Sequence, residues 1–206
     1  MIPLRNDYRY DCSFCSTRCD GISKMVYDFK NDVAFSEHYE QLLISRIKEE
    51  GYFAKKTNKD QYPDVEVYTE EGGELLCYIE VKVQRRAFMS VQKILPYADL
   101  TPSETLALNL SDLEHYIEQS RIVDVPIYIM WVLAERPCIV GKNAVKCFYN
   151  HISVFERILE YYGDKRRFRR ASGRGDVVNG QHKGVVVNYH FSISELRPFN
   201  LDEILR

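Results

Sequence analysis

The chain has 206 residues, of which 28 are Lys or Arg and 30 are Asp or Glu, so its formal net charge is −2. Apolar residues make up 45% of it, which is enough for a packed core and far from a disordered composition. The longest apolar run has ten residues, and a membrane-spanning helix needs about 20. The N-terminus lacks the apolar segment of a secretory signal, so we expect a cytoplasmic protein with reduced cysteines and no membrane partner.

The N-terminal part of the sequence predicts an irregular arm, a helix and a hairpin. Residues 1–32 show no regular pattern. Apolar residues at spacings of three and four predict a helix over residues 36–50, and Gly51 suits the left-handed position after a helix. Polar and apolar residues alternate over residues 64–69 and 76–84, on either side of a Gly-Gly turn, and this arrangement predicts a hairpin.

Helices and strands alternate in the rest of the chain. Capping-box spacing predicts that helices begin at residues 101–104 and 111–114. The continuous apolar run at residues 125–134 predicts a strand that is covered on both faces. A helix over residues 151–162 and a strand over residues 185–191 follow. This order of elements predicts an α/β fold with a mixed sheet.

The predicted hairpin places two carboxylates and a lysine on one face. Because side chains alternate along a strand, Glu80 and Lys82 share a face while Val81 points to the core. A hairpin centred on Gly72 pairs residue i with residue 144 − i, which sets Asp64 opposite Glu80. Facing carboxylates repel each other, so this placement favours a divalent cation between them, and Mg²⁺ or Mn²⁺ prefers such oxygen ligands.

These three side chains suit the hydrolysis of a phosphodiester. Lys82 can position the attacking water or balance the charge that develops on the phosphate. A bound divalent ion makes its water more acidic and stabilises the leaving oxygen. The competing interpretation is a solvent-exposed hairpin face whose charges are incidental.

The spacing of Pro63-Asp64 and Glu80-Val81-Lys82 resembles the motif of the PD-(D/E)xK nuclease superfamily. About half of the chain is also similar in layout to archaeal Holliday-junction resolvases and to the cores of type II restriction enzymes. The resemblance implies a restriction-endonuclease-like core in which a central mixed β-sheet is flanked by helices. It further implies a metal-dependent nuclease.

The resemblance also implies supporting catalytic residues. In that superfamily the helix before the hairpin supplies a further acid near the metal, which Glu40 matches best and Glu37, one turn away, matches second best. Gln84 resembles an accessory catalytic glutamine of some members. Gln119 resembles one as well, but an ordinary role on the polar surface is the favoured interpretation for it.

The segment between Tyr161 and His190 is basic. Seven Lys and Arg residues oppose two Asp residues, which gives this segment a charge of +5 and leaves −7 for the rest of the chain. Lysine and arginine neutralise phosphates without reading a sequence, so the segment predicts contact with DNA, and RNA remains a candidate. A solvated charge cluster at a helix end is the alternative. The predicted contact residues are Lys165, Arg166, Arg167, Arg169, Arg170 and Arg174.

Three of the six cysteines lie close together, with the spacing Cys-x2-Cys-x3-Cys. This spacing suits a structural Zn²⁺ site with a fourth ligand from His38, Cys77, Cys138 or Cys147. An iron–sulfur cluster is a second candidate, because the superfamily that the chain resembles has members that carry one. Reduced thiols without metal are the alternative. The three residues are Cys12, Cys15 and Cys19.

Taken together, the patterns predict three regions and one activity. The regions are a Cys-containing arm (residues 1–32), a nuclease-like core (33–137) and a C-terminal extension with the basic segment (138–206). The predicted activity is Mg²⁺- or Mn²⁺-dependent hydrolysis of DNA by a restriction or resolvase-like endonuclease, for which a homodimer would supply the two sites of a double-strand cut. A catalytically inactive nucleic-acid-binding module on the same fold and a metal-stabilised interaction protein are the alternatives.

Overall fold

The computed structural model of the protein describes residues 5, 29–59, 62–85, 87–134, 136–140, 144–169, 177–178, 181–182 and 187–205. Its helices are α1 (Phe29–Glu49), α2 (Val91–Ile94), α3 (Leu110–Ser120), α4 (Pro137–Val140), α5 (Ile152–Tyr162) and α6 (Leu201–Ile204). Its strands are β1 (Phe53–Lys56), β2 (Val65–Tyr68), β3 (Leu75–Gln84), β4 (Thr105–Asn109), β5 (Ile127–Ala134), β6 (Val145–His151), β7 (Arg167–Arg169), β8 (Val177–Val178), β9 (Gln181–His182), β10 (Val187–Ser192) and β11 (Arg197–Pro198). No helix in these ranges combines the length and the apolar character that a membrane crossing requires.

Six strands form the main sheet, in the order β1-β2-β3-β5-β6-β11. β3 and β5 are parallel, and every other neighbouring pair of this sheet is antiparallel. A parallel pair needs a crossover connection, which here contains β4 and α3. A second, antiparallel sheet has the order β4-β10-β7. The main sheet is therefore mixed, as the sequence predicted.

Helices cover both faces of the main sheet. On one face, α1 and α6 share a core with β2 and β3 that includes Ile47 and Ile79. On the other face, α3, α5 and the second sheet share a core that includes Trp131. β5 lies between the two cores, because Met130 contributes to the first and Trp131 to the second. The predicted α/β class, with a central mixed sheet flanked by helices, is confirmed.

The register of the hairpin follows the prediction. Val65 pairs with Ile79 and Glu66 with Tyr78, so residue i faces residue 144 − i in these pairs. A β-bulge near the end of β2 shifts the register only beyond them. Gly72 lies in the turn with a φ of 77°, a conformation that residues with a Cβ rarely adopt. The alternation that placed the site residues on one face is therefore present.

The two helix signals on either side of this hairpin had different outcomes. α1 forms as predicted, although it begins earlier, at Phe29, and Gly51 after it has the expected positive φ of 90°. Residues 101–104 form a turn that leads into β4, so the prediction of a helix start there is wrong. The Thr101 N–H still donates to Glu104 Oε1 at 3.2 Å, as in a capping box. Pairing of β4 with β10 outweighs this local signal.

Strands from the C-terminal part of the chain belong to the main sheet and to the second sheet, while β8 and β9 pair with each other as a separate two-stranded sheet. β6 and β11 extend the main sheet, while β7 and β10 build the second sheet together with β4. The described residues within 138–206 therefore share sheets with residues of the predicted core, 33–137. The boundary proposed between these two regions stays a prediction.

Candidate active site

The two predicted carboxylates meet at the start of β2. Asp64 directly precedes β2, and the register sets it opposite Glu80 of β3. The Asp64 N–H donates to Glu80 Oε2 at 3.3 Å, and Asp64 Oδ2 accepts from the Val81 N–H at 2.9 Å. Asp64 is partly buried, and Glu80 is only 1% exposed. The backbone of the hairpin thus holds the two carboxylates close to each other.

Lys82 lies beside this pair, as the alternation of β3 predicted. Its Nζ donates to Glu80 Oε1 and lies 3.9 Å from Asp112 Oδ2 of α3. The Lys82 side chain remains 31% exposed, so a substrate can reach it from solvent. Asp64, Glu80 and Lys82 are named here the carboxylate–lysine group.

α3 supplies two neighbours of this group that the sequence analysis missed. Tyr116 forms a side-chain hydrogen bond with Glu80, and Asp112 approaches Lys82. The two residues are four positions apart, so they lie on the same side of the helix. The sequence shows that the two residues share a helix face, but it does not show which strand that face contacts. The crossover connection places α3 next to β3 and so brings both residues to the site.

Burial and repulsion set the protonation of the carboxylate–lysine group. Burial, followed by the charge of Glu80, raises the pKa of Asp64 to about 7, although Lys82 and the Val81 N–H act in the opposite direction. Burial also acts to lower the pKa of Lys82, but the charges of Glu80 and Asp64 outweigh it and raise that pKa above its ordinary value. The lysine therefore keeps its proton at neutral pH, while Asp64 lies where a negative charge is poorly stabilised.

Glu40 approaches the same group from α1. It is only 6% exposed, and its charge contributes to the raised pKa of Asp64. Lys56 Nζ of β1 lies 2.8 Å from Glu40 Oε2 and 3.9 Å from Glu37 Oε1. Glu40 is therefore a buried acid that acts on the site electrostatically, whereas Glu37 is exposed. A catalytic role for Glu40 stays a prediction.

The side chain of Gln84 joins β3 to β4. Its Nε2 donates to Thr105 O at 2.8 Å, and its Oε1 accepts from the Ala107 N–H at 3.0 Å. The amide thus pairs with the backbone of β4 on the side that faces away from β10. This contact holds β4 next to the candidate site, and a direct catalytic role for Gln84 stays a prediction.

Asp64 and Glu80 form a set of two carboxylates suited to a hard cation. In the part of the chain that the structure describes, no group of three or more His, Cys, Asp or Glu side chains is placed to hold a metal ion. Mg²⁺ usually binds one or two carboxylates and keeps several of its waters, so a set of two fits this ion. Burial, followed by the charge of Glu80, raises the pKa of Asp64, and a bound cation would act in the opposite direction.

The basic segment divides into a buried and an exposed part. Arg166 is completely buried: its Nη1 lies 2.8 Å from Glu195 Oε2, and its Nε donates to Ala98 O at 2.9 Å. Its guanidinium carbon lies 3.5 Å from the centre of the Tyr162 ring. Arg166 therefore stabilises the fold and presents no charge to a phosphate, which corrects the expectation for this residue. Exposed side chains belong to Lys165, Arg167 and Arg169, whereas Arg170 and Arg174 lie outside the described residues.

The predicted zinc or iron–sulfur ligands Cys12, Cys15 and Cys19 also lie outside the described residues. Of the candidate fourth ligands, Cys77 is completely buried among apolar side chains, and burial raises its pKa to about 12. Burial likewise raises the pKa of Cys147 to about 11. Both thiols thus behave as small apolar residues of the fold, and a metal at the three N-terminal cysteines stays a prediction.

Comparisons with known proteins found similarity in structure but not in sequence. No protein-family model matches the sequence, and no curated protein matches it. Among solved structures, the chain is similar to Hjc of Archaeoglobus fulgidus, a Holliday junction resolvase from an archaeal hyperthermophile. The two chains share 12% sequence identity and align with a TM-score of 0.44, over 82% of this chain and 94% of that chain.

Proposed function

We propose that this protein is a divalent-metal-dependent nuclease that hydrolyses phosphodiester bonds of DNA, as a restriction or resolvase-like endonuclease. The observation that carries the proposal is the carboxylate–lysine group: the hairpin crowds Asp64 and Glu80 together beside one accessible lysine, Lys82. Burying carboxylates that repel each other costs stability. Such an arrangement is expected where a cation and a phosphate are to be bound.

The three side chains of the carboxylate–lysine group, and the two neighbours from α3, each have a defined part in the proposed reaction. Asp64 and Glu80 would hold Mg²⁺ or Mn²⁺, which when bound makes a water more acidic and stabilises the leaving oxygen. Lys82 stays protonated and donates to the attacking water or to a phosphate oxygen, where it offsets developing negative charge. Tyr116 orients the Glu80 carboxylate, and Asp112 keeps the lysine close to the pair. These last two act as positioning residues.

Exposed basic side chains supply the proposed contact with DNA phosphates. Lys165, Arg167 and Arg169 are exposed, and Arg167 Nη1 lies 3.4 Å from Oδ1 of the exposed Asp164. Contacts of this kind give affinity that falls as the salt concentration rises. Since one site cuts one strand, we propose that a homodimer makes any double-strand cut.

The experiment that tests the proposal is a cleavage assay on plasmid, linear and branched DNA with Mg²⁺, Mn²⁺ or EDTA. We expect cleavage with either cation, none in EDTA, and none by the Lys82→Ala variant, whose folding is checked by thermal unfolding. Cleavage that continues in EDTA or in folded Lys82→Ala would remove this site from the reaction.

A second candidate is a nucleic-acid-binding module that does not catalyse. The observation in its favour is that the described residues hold two carboxylates but no third ligand placed for a metal. Salt-dependent DNA binding without cleavage of any of the three substrates would favour this module over the nuclease.

A further inference from the structure

A cavity of about 410 Å³ lies beside the carboxylate–lysine group. It opens between the C-terminal end of β3, β4 and the two other strands of the second sheet, and Lys82 forms part of its wall. The Lys82 side chain therefore contacts Glu80 and also faces this cavity. A molecule with its phosphate at Lys82 could place a neighbouring group inside it.

One wall of the cavity consists of three aromatic rings. Phe88, Phe168 and His190 all line it, with centroid separations of 5.7 Å between the phenylalanines and 5.0 Å between Phe88 and His190. Both phenylalanines pack against a small apolar cluster that includes Val91 and Leu95, so their rings are held in place. The wall is thus a preformed aromatic surface rather than a set of free side chains.

The aromatic wall carries no charge at neutral pH. His190 is 3% exposed, and its Nδ1 lies 3.1 Å from the carbonyl oxygen of Arg166, so this nitrogen donates the hydrogen. Burial is the main cause that lowers the pKa of His190 to about 4, so the ring is neutral. Among the described residues that line the cavity, Lys82 is the one with a charge.

Amide groups supply the polar part of the lining. Asn109 and Asn188 both line the cavity, and an amide has two donor hydrogens and an acceptor oxygen. Asn109 Nδ2 donates to Asp112 Oδ2 at 3.3 Å, which uses one of its two hydrogens. A phosphate alone would not pack against the aromatic wall, and an aliphatic group would not form hydrogen bonds with the amides. A flat heterocycle with hydrogen-bonding edges fits both features, because bases stack on aromatic side chains and pair with asparagine amides.

We propose that this cavity binds one unstacked nucleobase of the DNA strand whose phosphate lies at Lys82. The inference rests on the proposed nuclease function and adds to it a strand-positioning subsite. The cavity volume of about 410 Å³ falls within the usual range for ligand pockets. A base that has left its helix is available in single strands, at branch points and at unpaired positions.

The test compares two short single-stranded DNA probes with the same phosphates, one of oligothymidine and one in which every position lacks its base. Binding is measured in EDTA, so that no cleavage occurs. We expect the full chain to bind oligothymidine about ten-fold more tightly than the base-free strand, since stacking one base contributes an effect of this order. Equal affinities for the two strands, or no binding of either at low salt, would overturn the inference.

Variants locate the preference within the cavity. Phe168→Leu keeps an apolar side chain but removes the ring, so we expect the preference for oligothymidine to fall close to one. Phe168→Tyr should restore it, and Tyr161→Leu, at an exposed aromatic residue outside the cavity, should leave it unchanged. Undiminished preference in Phe168→Leu would place the base elsewhere and contradict the proposal.

These experiments distinguish a failure of the proposed base subsite from a failure of the proposed nuclease activity. Cleavage with Mg²⁺ but equal affinity for the two strands would reject the base subsite and leave the nuclease. A preference that depends on Phe168 without cleavage of any substrate would support the subsite and reject the catalytic role.

Discussion

Two groups of charged side chains in this protein differ in how their charges are paired. The first, named here the Arg166 group, consists of Arg5, Asp99, Arg166 and Glu195. It contains two cations and two anions, with contacts of 2.8 Å between Arg166 and Glu195, 3.1 Å between Arg5 and Glu195, and 2.9 Å between Arg5 and Asp99. The carboxylate–lysine group instead has Asp64 and Glu80, with Asp112 nearby, and within this group Lys82 supplies the positive charge.

The difference separates charge that is paired within the fold from charge for which we propose a function. In the Arg166 group each anion faces an arginine, so the charges that burial desolvates are compensated within the fold. In the carboxylate–lysine group the negative charge exceeds the positive charge, and the pKa of Asp64 rises to about 7 as a result of burial and of Glu80. Burial of charge alone thus does not indicate a functional site, and it is the excess of negative charge beside an accessible lysine on which the proposed metal site rests.

The largest expected effect is on catalysis, from loss of one carboxylate of the carboxylate–lysine group. Glu80→Gln keeps the shape of the side chain but removes its charge, so we expect the rate of Mg²⁺-dependent cleavage to fall about a thousand-fold or more. The measurement is the initial rate on the best DNA substrate. Glu66→Gln is the matched control, because Glu66 is also buried in this hairpin but pairs with Tyr68 and Lys55. Equal losses in both variants would contradict the assignment.

The Arg166 group should respond in stability instead. Removing Arg166 leaves Glu195 buried with part of its compensation lost, so we expect Arg166→Ala to lower the free energy of unfolding by about 3 kcal/mol. Arg167→Ala, at the exposed neighbouring position, should change it by less than about 0.5 kcal/mol. Urea unfolding of both variants checks this contrast. A similar stability for the two would show that the buried ion pair does not stabilise the fold.

Acid should weaken the region around the Arg166 group through His190. The folded-state pKa of His190, about 4, lies below the value of 6.5 for an unperturbed histidine. Its contribution to stability is therefore complete above pH 6.5 and is lost as the pH falls from 6.5 to 4. We expect a loss of about 2–3 kcal/mol over this window in urea unfolding. In the His190→Gln variant, the part of the loss that comes from His190 should disappear. If the free energy of unfolding of this variant fell with pH as steeply as that of the unmodified chain, the claim that His190 is buried and neutral would be contradicted.

The smallest effect expected is a gain in stability at the carboxylate–lysine group. Asp64→Asn removes the repulsion with Glu80 and can still accept the hydrogen bond from the Val81 N–H. We expect thermal unfolding in EDTA at pH 8 to give a higher Tm, equivalent to about 1 kcal/mol. A lower Tm would mean that Asp64 is compensated within the fold, like Glu195, and the comparison between the two groups would fail.

Local patterns in the sequence predicted how the hairpin places its carboxylates, but they did not predict the contacts that distant parts of the chain make. The alternation of β3 and the turn at Gly72 were sufficient to place Asp64 opposite Glu80, because both depend on neighbours within one hairpin. Contacts with α3 could not be predicted, since they arise from the crossover between parallel strands. The assignment of Arg166 to DNA failed for the same reason, because its partner Glu195 lies 29 positions further along the chain.

Binding of Mn²⁺, followed by electron paramagnetic resonance, tests the central claim most directly, because it reports on Asp64 and Glu80 without requiring a substrate. We predict that the full chain binds Mn²⁺ and that Glu80→Gln weakens this binding at least about ten-fold. Glu66→Gln should bind the ion as the unmodified chain does. Equal Mn²⁺ affinity in Glu80→Gln and the unmodified chain would contradict the claim that the uncompensated carboxylates hold a catalytic metal.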